Sequence, residues 1–326
     1  MTGHGFAARV AEAKRARRAG RRLPSAWRRP LAVIGVGIVL AWLLAAVLAP
    51  WISPASPLAQ DLPRLTPPGA EALLGTDALG RDVLSRLIHG ARTTIPLAVV
   101  LVLSAMVLGT VVGAVSGYLG GWVDEVLMRV TDLFMAFPTV ILAMVIAASL
   151  GPSLYNAVLA GIVVTWPNYA RVTRSLVLSL RGQNYVVASR LLGHSSVHSL
   201  RVDILPGVAG PVMVLASLET GTSILLLTGL SFLGLGAQPP SAEWGSMISS
   251  AIQHIDAWWL GLFPGLAILS IVMAFNFIGD SLRDVLDPLS GAQRAGAGVA
   301  PAPLSTEGRS EQSVVEDLVV DPGRPS

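Results

Sequence analysis

Long apolar runs separated by short polar breaks are the dominant pattern of this chain. A helix that crosses a bilayer needs roughly 20 mostly apolar residues. Six segments fit that requirement: 31–49, 95–115, 133–150, 155–172, 208–233 and 258–278. Glycine, serine, threonine and proline interrupt several of them. Small residues let helices approach closely, and neighbouring helices satisfy the backbone groups that a proline frees, so these interruptions are compatible with spanning. The pattern predicts an all-α polytopic membrane protein with six transmembrane helices.

Charge orients the spans. Arg9, Lys14, Arg15, Arg17, Arg18, Arg21, Arg22, Arg28 and Arg29 crowd the first thirty residues, against a single acid, Glu12. Followed by an apolar span, such a run reads as a cytoplasmic flank under the positive-inside rule, with a signal-peptide n-region as the alternative. Six spans then put both termini in the cytoplasm. The chain divides into a basic tail (1–30), a first span (31–49), an extracytoplasmic segment (50–94), a transmembrane core (95–288) and a cytoplasmic tail (289–326). Rich in Ala, Pro, Gly and Ser, that last tail is expected to be disordered. The loop at 171–207 carries Arg171, Arg174, Arg181, Arg190 and Arg201, as an internal loop should, while 234–257 carries no Lys or Arg. One segment breaks the rule. Arg64, Arg81, Arg86 and Arg92 lie on the outer side, roughly balanced by Asp61, Glu71, Asp77 and Asp82.

Composition agrees with a membrane protein. Only 13% of the 326 residues are charged and 52% are hydrophobic, where a soluble domain has about 25% charged residues. With no cysteine, disulfides and thiolate chemistry are excluded. GxxxxGK[ST] needs a lysine after a glycine-rich loop, and Lys14, the only lysine, has none before it. There is no convincing nucleophile–base pair either, so the chain is not expected to be an enzyme, and it is read as having no nucleic-acid partner.

The polar insert "YVVASRLLGHSSVHSLRVDILP" at 185–206 stands between two apolar runs. Its first part has helical propensity, Gly193 ends it, Ser195 or Ser196 caps a second short helix, and Pro206 marks entry to the next span. It reads as an amphipathic helical hairpin on the cytoplasmic surface, either merely interfacial or a docking element for a partner. His194 and His198 have metal-ligand spacing, but no third ligand is evident beyond Asp203, so no metal site is expected.

The order alanine, small residue, three residues, glycine, then a run ending "ILP" resembles the EAA loop of bacterial ATP-binding-cassette importer permeases. Ala188, Ser189 and Gly193 match its small positions, and Leu205 and Pro206 its end. The family's glutamate is Val187 here. "LLGTDALGRDVLSRLIHGAR" (73–92), "GGWVDEVLMRVTDLFMAFP" (120–138), "LSFLGLGAQPPSAEWGSM" (230–247) and "FPGLAILSIVMAFNFIGDSLRDVLDP" (263–288) are similar to the C-type permease of dipeptide, oligopeptide and nickel importers. The resemblance implies a type I importer fold in the inner membrane and a coupling helix carried by the insert. It also implies a second permease as heterodimer partner, two ATPase subunits that bind ATP and Mg, and an extracytoplasmic substrate-binding protein. No cofactor is expected on this chain. An ATP-driven importer of di- or oligopeptides is the reading, with nickel import of the same family as the alternative and an ion-driven secondary transporter behind it.

Three further groups of residues stand out. Glu219 falls near the middle of the fifth span, where an ionisable group by default marks a functional site facing the bundle interior. It is a candidate for the translocation path and for meeting a peptide's ammonium group; the alternative is a neutral acid bonding a neighbouring helix. The family usually carries an acid just before "LSFLGLG", where this chain has Leu227. Asp77, Arg81 and Asp82 in "GTDALGRD" are candidates for an external gate or a binding-protein contact, against a capped helix with an Arg–Asp pair. Trp244, Trp258 and Trp259 fit an interfacial aromatic belt.

Overall fold

The computed structural model describes residues 30–286. The basic tail and the C-terminal tail expected from the sequence lie outside the described residues. Within them the chain is all-α: an isolated bridge between Thr76 and Asp82 is the only strand-like pairing. The helices are α1 (Pro30–Ile52), α2 (Val83–Leu119), α3 (Gly121–Met135), α4 (Thr139–Leu150), α5 (Leu154–Leu180), α6 (Asn184–Leu191), α7 (Ser196–His198), α8 (Leu205–Phe232), α9 (Trp244–Ile252) and α10 (Trp259–Leu286). A π-helical turn, Ser199–Ile204, joins α7 to α8.

Four stretches are long and apolar enough to cross a membrane: Pro30–Ile52, Val83–Leu119, Ser196–Phe232 and Trp259–Leu286. The expected third span is not one straight helix. α3 and α4 meet at 89°, because Pro138 has no N–H to continue the ladder and disfavours helical geometry in Phe137 before it. α4 has 12 residues, a length of about 18 Å, where the hydrocarbon core is about 30 Å thick. Counted with α3, the bent pair makes a fifth span at most. The expected fourth span is a continuous helix of 27 residues, α5. Asn156, Asn168, Arg171 and Arg174 make it more polar than the other four. It tolerates them because much of it is enclosed by protein rather than lipid. Ala157, Ala160, Val164, Tyr169, Ala170, Thr173 and Val177 are all buried.

The expected 50–94 segment ends within a helix. Helix α2 begins at Val83 and runs unbroken past that boundary. Asp82 starts it, accepting hydrogen bonds from the Ser85 N–H at 2.7 Å and the Ser85 hydroxyl at 2.6 Å, as an N-cap does.

The bundle centres on α2 packed along α5. Gly109, Gly113 and Gly117 form a stripe of small residues one turn apart. A Cβ at Gly109 would lie 2.3 Å from the Trp166 carbonyl oxygen, and one at Gly113 2.3 Å from that of Ala170. This is the close backbone approach that GxxxG spacing permits. α8 packs on both helices, α10 on α8, and α1 on α10. Gly109→Val should therefore force α2 from α5 and cost at least about 1–3 kcal/mol. The expected result is a lowered melting temperature of the detergent-solubilised protein. Gly37→Val, with nothing within 4 Å of the added Cβ, should leave it unchanged.

Candidate functional site

Three clusters answer to the residues singled out by sequence, one at each end of the bundle and one between them.

At the end that carries the 53–82 and 233–258 loops, Asp77 is a buried node. Its Oδ1 accepts from the Leu79 and Arg81 N–H groups at 2.9 and 3.0 Å, and its Oδ2 pairs with Arg81 at 2.6 Å and faces Arg86 at 3.6 Å. Arg86 is only 5% exposed. It also donates to the carbonyls of Pro57 and Ser241 at 3.2 Å, tying both outer loops to α2. The single Asp77 carboxylate sits between Arg81 and Arg86 and so neutralises one of these two charges within the chain. Asp77 and Asp82 are thus buried and committed to contacts within the chain, and the charges this segment exposes are Asp61, Arg64, Glu71 and Arg92. Sequence reasoning passed over Arg86, because nothing local separates a buried arginine from a surface one.

Glu243 is a third buried acid at this end. It caps α9, accepting from the Gly245 and Ser246 N–H groups at 2.9 Å. Burial pushes its carboxyl above the usual range. The tryptophans do not form the expected belt. Trp244 is wholly buried, donates to the Leu87 carbonyl at 2.9 Å and meets Trp42 edge-on. Trp259, also buried, donates to the Thr76 carbonyl at 3.1 Å. Trp258 alone of the three is exposed.

At the opposite end lies the insert. α6 buries Val186 completely and leaves Leu191 83% and Leu192 80% exposed. Gly193 has φ +88°. Its N–H bonds the Arg190 carbonyl, and the His194 N–H bonds the Ser189 carbonyl, the paired bonds of a Schellman stop. Ser195 then caps α7 through the His198 N–H at 3.3 Å. Ala188 is exposed, Ser189 and Leu205 are half-buried, and Pro206 is exposed. The hairpin is held to the bundle by two contacts that the sequence did not announce. The Arg190 guanidinium lies 4.9 Å above the ring of Tyr118 at the end of α2, and Arg181 donates to the Gly117 carbonyl at 2.9 Å. Beside them Arg174 grips Asp124 of α3 through two bonds of 2.5 and 2.6 Å. The rings of His194 and His198 lie 4.4 Å apart. Among the described residues no group of three or more His, Asp or Glu is placed to hold a metal ion.

Between the ends, Glu219 borders a cavity of about 400 Å³ formed by α4, α5 and α8. Asn168 of α5 donates to one carboxylate oxygen at 3.3 Å, and Thr222 to the other at 3.0 Å. Thr139, Thr165 and Ser223 also line it. Glu219 is thus bonded to a neighbouring helix and open to a cavity at once.

The sequence itself is similar to that of known proteins. Residues 109–290 match the family model described as the binding-protein-dependent transport system inner membrane component, and residues 21–68 match the N-terminal transmembrane domain of oligopeptide transport permease C. The chain belongs to this family of importer permeases. It is 41% identical to the probable D,D-dipeptide transport system permease protein of Escherichia coli strain K12, over 82% of this chain and 90% of that protein. It is 42% identical to a dipeptide transport system permease protein of Alkalihalophilus pseudofirmus (80% and 86%). It is 46% identical to the nickel transport system permease protein of Escherichia coli strain K12 (82% and 96%). The chain is thus a C-type, multi-pass permease subunit of the dipeptide, oligopeptide and nickel group of ATP-binding-cassette importers, resident in the inner membrane. In this family ATP hydrolysis is carried by separate ATPase subunits.

Asp77→Asn should leave Arg86 buried without its counter-charge. Breaking a buried pair costs about 3–5 kcal/mol, so the 53–82 segment of the permease should become sensitive to limited proteolysis. Arg64→Gln, at an exposed position, should not change the digestion pattern.

Proposed function

We propose that this permease carries di- or oligopeptides inward, driven by ATP hydrolysis on two partner ATPase subunits that hold the nucleotide and its Mg. It pairs with a second, different permease and receives its cargo from an extracytoplasmic binding protein. Six spans, with α5 and the bent α3–α4 pair counted among them, put both termini in the cytoplasm. The peptide-transport names of two of the relatives above support the substrate class. The nickel reading draws on the relative at 46% identity. Against it stands the Glu219 cavity, whose lining holds one carboxylate and no imidazole, where nickel prefers several nitrogen, oxygen or sulfur donors. Family membership favours an ATP-driven mechanism over an ion-driven one.

The observation that carries the coupling role is the contrast within α6. Val186 is sunk into the bundle, while Leu191 and Leu192 project almost bare beside the Gly193 turn. Two adjacent exposed leucines on a hairpin rich in arginine are poorly suited to water and well suited to a groove on another protein. Ala188 and Ser189 leave room for close approach, Gly193 sets the angle between the two short helices, and Leu205 and Pro206 begin the helix that must move. Motion of a docked ATPase would pass through Arg190 and Tyr118 to α2, and through the Ser199–Ile204 turn to α8 and Glu219.

Leu191→Glu with Leu192→Glu should abolish copurification of the ATPase subunits with the assembled permeases. Gly193→Val should keep membrane insertion and lose ATP-dependent uptake, since a β-branched residue is strained at positive φ. Normal copurification and normal uptake by these variants would overturn the coupling role.

A further inference from the structure

The cavity under Glu219 has two electrostatic poles. One is the Glu219 carboxylate. The other is the start of α4. Its first N–H groups have no acceptor within the helix, and the residue before them, Pro138, has no side chain able to cap them. Thr139 and Val140, the first two residues of α4, line the same cavity as Glu219. A helix start carries roughly half a positive charge and favours anions.

The two poles lie at the same depth. The Ser153 N–H bonds the Leu235 carbonyl at 3.3 Å, which ties the far ends of α4 and α8 at one level. From those ends, Thr139 is eleven residues back along α4 and Glu219 thirteen back along α8, about 17 and 20 Å at the helical rise. The bend at Pro138 thus brings a helix start and a carboxylate to the wall of one cavity.

Ser223 is an independent sign of a ligand. It lies one turn after Glu219 on α8, is only 2% exposed, and lines the cavity. Its hydroxyl has no hydrogen-bond partner. A buried hydroxyl left unpaired is costly, and a polar group bound in the cavity that Ser223 lines would supply the missing partner. The remaining polar lining, Thr139, Thr165, Asn168 and Thr222, is neutral.

We propose that this cavity is a station for a short zwitterion, with a peptide's free α-ammonium at Glu219 and its free α-carboxylate at the start of α4. The ammonium donates to the Glu219 carboxylate and to the Ser223 hydroxyl oxygen. The carboxylate accepts from the exposed N–H groups of α4 and from the Thr139 hydroxyl. The volume of about 400 Å³ falls within the usual range of small-molecule pockets. The inference rests on the peptide reading above and adds which chemical groups of the peptide the membrane subunit reads.

The test uses the whole transporter, both permeases with their ATPases in nanodiscs, without the binding protein. Saturable binding of radiolabelled dialanine is measured against unlabelled dialanine, N-acetyl-dialanine, dialanine amide and nickel ions. In the unaltered complex, the acetylated and amidated peptides should compete at least about tenfold more weakly, the usual scale for loss of a charge-assisted hydrogen bond. Glu219→Gln should erase the discrimination against the acetyl group, and Thr139→Asp the discrimination against the amide. Ser223→Ala should weaken dialanine itself. Equal competition by all three peptides overturns the proposal, and that readout needs no variant. So does absence of saturable binding in a complex that still imports dialanine when its binding protein is added; that outcome leaves the peptide-importer reading intact. A complex that imports nickel and no dialanine, with nickel ions the effective competitor, overturns both.

Discussion

Gly109, Gly113 and Gly117 bring the backbone of α2 against α5, and the rest of the bundle takes its positions from that contact. In a bilayer lipid tails are as apolar as leucine, so helices associate through close packing and internal hydrogen bonds rather than through escape from water. A stripe without side chains maximises the first. The approach sets Asn168 of α5 beside Glu219 of α8, and so makes one wall of the central cavity. At the far end it places Gly117 and Tyr118 under Arg181 and Arg190. The hairpin that hangs from the bundle is thereby fixed to the same helix pair that frames the cavity.

The two ends of the molecule spend their polar groups differently. At the end that carries the 53–82 and 233–258 loops, Asp77, Asp82, Arg86 and Glu243 are buried and hydrogen-bonded within the chain, and two tryptophans donate to backbone carbonyls. Removing any partner there leaves an unpaired group in a poorly hydrated place, which is how such networks hold one arrangement. At the end that carries the hairpin the pattern is reversed. Charges sit in partly open pairs such as Arg171 with Asp132, and the hairpin exposes Leu191 and Leu192 beside Arg190, His194 and His198. Between the ends, one bent helix and one mid-span acid break the rule that buried bilayer segments be regular and neutral, and such exceptions are tolerated where they line a cavity.

Much of this was legible in the residues. Hydropathy located the four long helices, and the charge pattern the 234–257 loop that lacks Lys and Arg. The cap at Asp82 and the stop at Gly193 were readable because each is local chemistry: an acid before a helix, and a residue free to take positive φ. Other features were not. Residues 133–150 average as one apolar span, and an average carries no information about an 89° turn at Pro138. The enclosure of α5 by its neighbours was not legible either, because the hydropathy of 155–172 says nothing of whether protein or lipid surrounds it. Trp244 looked interfacial by type. The spacing of Gly109, Gly113 and Gly117 was present as a signal, and GxxxG periodicity would have found the central contact.

By itself, then, the sequence determined what depends on neighbours along the chain. These are the all-α character, the apolar helices, the caps and stops, and the order of motifs that carries family membership. Only the tertiary structure decided which charges are buried, which leucines are bare, and which helix start faces Glu219. Those outcomes depend on distances between residues tens to more than a hundred positions apart, Asn168 and Glu219 or Arg86 and Ser241. Such distances are set by how closely two backbones approach and where one helix bends, and neither quantity is encoded in the hydropathy of a segment.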